Sequence, residues 1–64
     1  MLVVACRDDI LRRGAASILF DIRSLTPRQE DFNAFVWDVA SALRREGRED
    51  LAIEAMRANI VGGP

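Results

Sequence analysis

A helix that begins near Thr26 cannot run straight through Gly47. Phe32, Val36, Val39 and Leu43 recur at helical spacing, with Phe35, Ala40 and Ala42 beside them, and at about 100° per residue they make one wide apolar stripe. Continued in phase, that stripe would next carry Asp50, Glu54 and Arg57, three charges on the side just buried. A turn at Gly47 removes the conflict, and glycine tolerates the left-handed conformation in which many helices end. The spacing therefore predicts two helices, over 27–46 and 48–60, folded back on each other as an antiparallel hairpin.

The ends of these helices carry their own signals. Threonine is a good N-cap, proline suits the first helical position and a glutamine three residues after the cap closes a capping box, so Thr26, Pro27 and Gln29 read as a helix start. Pro27 also restricts Thr26 to extended backbone. Glu30 and Asp31 suit the positive end of the first helix, Arg44 and Arg45 its negative end, and Glu49 and Asp50 the start of the second. The second helix is apolar over more than half its circumference, with Leu51, Ala55 and Ala58 on one side, Ile53, Met56 and Ile60 on another, and Ala52 between. Such a helix needs two neighbours.

The hairpin resembles a single tetratricopeptide-like unit, with Ala40, Leu43, Gly47, Ala52 and Ile53 near that pattern's small, apolar and turn positions. The resemblance covers about half the chain. Its aromatic positions do not match and no second copy follows, whereas a solenoid needs roughly three stacked repeats. The pair is therefore read as a generic antiparallel helix pair.

Upstream, Leu2 to Cys6 suits either a short strand or the first turns of a helix. A strand needs an edge to pair with, and only Ser17 to Ile22 offers one, so helix is preferred. Leu11, Ala15, Ile18, Ile22 and Leu25 then follow a helical stripe behind Asp8 or Asp9 as N-cap, which predicts a helix over 9–24 that packs on the hairpin. Gly14 lowers its propensity by about 1 kcal/mol relative to alanine and marks a close crossing or a bend. The expected fold is all-α: one small three-helix domain over 1–64, with 62–64 a frayed tail. Leu11, Ile18, Ile22, Phe32, Phe35, Val36, Val39, Leu43, Leu51, Ile53, Met56 and Ile60 should supply most of its apolar surface.

Length turns this into an expectation about association. A chain of 64 residues buries only about 60% of its unfolded surface, yet half of these residues are hydrophobic. One cysteine excludes an internal disulfide, so self-association or another protein is the natural source of further burial. The unpaired Cys6 fits a reducing cytoplasm and reads as a small buried apolar residue. Leu2 to Cys6 is too short to span a membrane and no basic leader follows Met1, so no membrane association is expected.

The inventory for chemistry is thin. There is no histidine, so Cys6 lacks the usual base of a thiol nucleophile. The adjacent acids Asp8 and Asp9, and Glu49 and Asp50, sit at helix starts and point in different directions. No catalytic, metal-binding or cofactor-binding residues are assigned, and no phosphate loop or zinc spacing occurs.

Trp37 carries the most information. It lies about 140° from Phe32 around the helix, off the main stripe, with the small residues Ala34 and Ser41 beside it. Interfaces draw much of their energy from a few aromatic and arginine residues. Trp37, Ala34 and Ser41 are therefore interface candidates, and Phe20, off its own stripe in the same way, joins them. The expected function is a non-catalytic interaction module that self-associates through apolar helix faces or binds another protein. The alternative is a small DNA-associated regulator in which Arg44, Arg45 and Arg48 build a basic patch across a dimer. A net charge of −1, with acids interleaved among nine arginines, makes nucleic acid the second reading.

Overall fold

A computed structural model describes residues 3–61 by backbone and residues 3–57 by side chain. It is all-helical: α1 (Val3–Arg13), α2 (Ala15–Leu25), α3 (Gln29–Arg45) and α4 (Glu49–Val61), with no strand among the described residues. The expected tail at 62–64 lies outside those residues, as do Leu2 and the side chains of Ala58 and Ile60. No helix among the described residues is long and apolar enough to cross a membrane.

Four helices replace the expected three because the helix placed at 9–24 is two. Gly14 donates its amide to the Ile10 carbonyl at 2.8 Å, completing α1, and then takes φ +89° and ψ 162°, which ends it. Phase explains the break. Cys6 and Ile10 are buried in α1, and Ala15, Ile18, Leu19 and Ile22 in α2. On one straight helix the two sets would face directions roughly 150° apart. The break at Gly14 lets both face the core. The described part of the N-terminal segment is helical from Val3, so the strand alternative for Leu2 to Cys6 does not arise over that part.

The α2–α3 junction corrects the expected capping box. Thr26 is extended, as Pro27 requires, but it closes α2: its amide donates to the Arg23 carbonyl at 3.2 Å and its hydroxyl to the Ile22 carbonyl at 2.8 Å. α3 starts at Gln29 behind Arg28, whose carbonyl accepts the Phe32 amide at 3.2 Å, and no side chain caps it. Arg28 instead pairs with Glu30 and lies 4.0 Å from Asp31. Across the junction the Arg23 guanidinium sits 5.5 Å from the centre of the buried Phe32 ring, within cation–π range.

The turn at Gly47 forms as its sequence implies. Gly47 has φ +75°, its amide donates to the Arg44 carbonyl at 3.0 Å, and the Arg48 amide reaches back to the Leu43 carbonyl at 3.0 Å. These are the two bonds of a Schellman cap, which satisfy carbonyls that the end of a helix leaves open.

α3 and α4 make the most extensive contact, α1 packs on α3 and α2, and α2 packs on α4. The N-terminal segment therefore covers the hairpin in two pieces, one per helix, and α4 gains the second neighbour that its apolar circumference demanded. Phe32, Val36, Val39 and Leu43 are all at or below 2% exposure, each stabilising the fold by roughly 1.5–3 kcal/mol through burial. Leu51, Ala52 and Ala55 meet them from α4, the alanines permitting close approach. Cys6 is buried as its sequence reading expects, and Ile10 and Leu19, which that reading did not name, join the core as well. Leu11, Phe35 and Met56 are only partly buried against it. Two expectations fail outright: Leu25 and Ile53 are exposed, because α2 and α4 turn Ile22 and the Leu51, Ala52 and Ala55 side inward instead.

Candidate interaction groove

The orientation that buries Val36 and Val39 turns Trp37 outward. With the main stripe of α3 facing the core, Trp37 is 59% exposed. On α4, burial of Leu51, Ala52 and Ala55 likewise leaves Ile53 outside, 54% exposed. Between the two outward residues runs a groove of about 420 Å³. Its deeper lining includes the buried Ala40 and Ala52, small side chains that leave room between larger ones. Trp37, Ile53 and the half-buried Met56 supply its large apolar surface, and Ser41 a hydroxyl. The only charged residues among its described lining are Arg44 and Arg57.

Of the interface candidates, the structure brings Trp37 and Ser41 together in this groove. Ala34 is exposed on α3 outside its lining. Phe20 is 71% exposed but belongs to α2 and does not line the groove. The sequence reading gives Ile53 and Met56 to the apolar surface of the fold and does not name Arg57 as a site residue. The spacing within each helix does contain the signal: Trp37, Ala40, Ser41 and Arg44 follow i, i+3, i+4, i+7, and Ala52, Ile53, Met56 and Arg57 lie on one side of α4. That the two rows face each other is a tertiary fact. A second hollow of about 390 Å³, lined by Ile22, Leu25, Thr26, Asp31 and Phe35, sits where α2 hands over to α3.

The arginine patch is electrostatically diluted. Arg44 lies 3.5 Å from Glu49 across the Gly47 turn, and Arg48 grips Asp50 through two hydrogen bonds of 3.2 Å. That bond holds the Arg48 guanidinium above its ordinary pKa and is the leading reason the Asp50 carboxyl lies below its own. The paired acids near the N-terminus are likewise engaged, Asp8 by Arg7 at 2.9 Å and Asp9 by Arg12. Arg7 also reaches Glu46 at 3.5 Å, linking α1 to the end of α3.

Cys6 is 1% exposed, and desolvation, with a smaller contribution from Asp9, pushes its thiol up to about 11. A thiol so held is protonated at neutral pH and inaccessible, the opposite of what a nucleophile needs.

The chain matches no protein-family model, no curated protein and no solved structure.

Proposed function

We propose that the protein is a non-catalytic, cytoplasmic helical interaction module that associates with itself through apolar helix faces, with Trp37 between chains. The exposed Trp37 beside the exposed Ile53, on one apolar groove, carries this reading. A tryptophan costs little conformational entropy to fix and anchors interfaces out of proportion to its number. Size adds to the argument. A 64-residue chain with Val4, Phe20, Leu25, Trp37 and Ile53 all more than half exposed has apolar surface that its own fold leaves in water. A net charge of −1 opposes association only weakly.

Sedimentation equilibrium against concentration, with circular dichroism on the same samples, tests the reading. The wild type is expected above monomer mass and Trp37→Ala at monomer mass with unchanged helicity. A helical wild type that stays monomeric at all concentrations removes the proposal. The DNA-associated alternative, through Arg44, Arg45 and Arg48, has no comparable observation behind it, since Glu49 and Asp50 already engage two of the three arginines.

A further inference from the structure

We infer that the α3–α4 groove receives the outer face of α2 from a second copy of the chain; this rests on the self-association reading above and supplies its interface. The exposed residues of α2 are Ala16, Ser17, Phe20, Asp21, Ser24 and Leu25, spaced i, i+1, i+4, i+5, i+8, i+9 along the helix. They form one continuous ridge. Phe20 at 71% and Leu25 at 77% exposure stand out from it among small neighbours. The apolar face of α2 is buried in its own core and Phe20 and Leu25 lie about 140° apart, so what the ridge offers a groove is Phe20 as a single projecting anchor with Asp21 next to it. Phe20 does not line the groove of its own chain, so each molecule carries a ridge outside its groove lining.

Charge selects this pairing over like against like. Asp21 is the only charged residue of the ridge, and Arg44 and Arg57 are the only ones in the described lining of the groove. Among the described residues, neither Asp21 nor Arg57 has an opposite charge within 4.0 Å in its own chain. Groove against groove would bring together the two Arg57 side chains, with Arg44 already beside Glu49, and ridge against ridge would oppose two aspartates. Ridge in groove instead brings Asp21 to Arg57, where a charge pair fixes register and speeds encounter. Phe20 then meets Trp37, Ile53 and Met56 as the apolar anchor. Because the two surfaces differ, two copies either exchange ridge and groove reciprocally about a two-fold axis or add head to tail until a ring closes or a free end remains.

The test uses Phe20→Ala and Trp37→Ala in the full chain, separately and mixed, by sedimentation equilibrium with circular dichroism as the folding control. Both side chains are exposed, so both variants should stay helical. Each substitution is expected to weaken association at least about tenfold, the loss of one aromatic anchor. An equimolar mixture should then form a heterodimer that neither variant forms alone, since W37A retains the ridge and F20A retains the groove. Trp37 is the only tryptophan, so its emission in F20A reports the same event by shifting to shorter wavelength when W37A is added. If F20A associates like the wild type while W37A does not, α2 is not the occupant although self-association stands. Weakening in both without recovery on mixing also overturns the ridge-in-groove pairing. A wild type that is monomeric throughout overturns this inference together with the reading beneath it.

Discussion

The hydroxyl of Thr26 donates a hydrogen bond to the carbonyl oxygen of Ile22, 2.8 Å away, so this residue serves the helix before it and leaves the next one uncapped. The distinction is measurable because a carboxylate accepts but cannot donate. Thr26→Asp would set a negative group against the carbonyl end of α2 and should cost about 1–2 kcal/mol in urea unfolding. Thr26→Ser should cost less than half of that. Were Thr26 the cap of α3, aspartate would be tolerated as well as threonine, which is the outcome that contradicts this geometry.

Gly14 should resist replacement even though alanine is the better helix former. Its φ of +89° with ψ of 162° is backbone that essentially only glycine occupies, although a Cβ there would meet nothing within 4 Å. The penalty is thus conformational. Gly14→Ala is expected to lower stability by roughly 1–3 kcal/mol, because straightening the chain there would swing α1 or α2 off the core. A rise in the urea midpoint would mean that a continuous first helix is compatible with the fold.

At Gly47 the expected cost is smaller and residue-dependent. The φ of +75° is the left-handed cap conformation and the position is open, so Gly47→Ala should destabilise by about 1 kcal/mol and Gly47→Asn by less. Thermal unfolding of the pair gives the ranking, and an alanine variant as stable as the wild type would sink it.

Alkaline titration isolates Cys6. The chain contains no lysine and no tyrosine, so between pH 8 and 11, on the ordinary order of side-chain pKa values, no other side chain titrates. Folding raises the thiol from 9.0 to about 11, because burial disfavours the thiolate. The folded state thus holds the proton that the unfolded state releases. Stability from this group is fully present below pH 9 and is lost as pH rises from 9 through 11, by on the order of 3 kcal/mol. Cys6→Ala should lose about 1 kcal/mol of packing at pH 7 and show a flat alkaline limb. An unchanged alkaline slope in that variant would assign the effect elsewhere.

Helical periodicity was enough for the all-α class, for the burial of Phe32, Val36, Val39 and Leu43, and for the turn at Gly47. The same reasoning, applied from Cys6 and Ile10 onward, contains the break at Gly14. A stripe chosen from Leu11 and Leu25 hides it, since the structure leaves Leu25 exposed and Leu11 partly so. Thr26 misled for a related reason: a threonine before Pro27 suits the end of one helix as well as the start of another, and only the partner of its hydroxyl tells which.

Trp37 was legible as a residue off its stripe, and Phe20 likewise. The groove was not. Phase around one helix axis is a property of a short stretch of chain, so sequence alone determined which side chains share a side of α3 or of α4. Whether a side meets water depends on what packs against it. Placing α2 on α4 and α1 on α3 decided that Ala52 and Ala55 would be buried, that Ile53 would face outward, and that it would do so opposite Trp37.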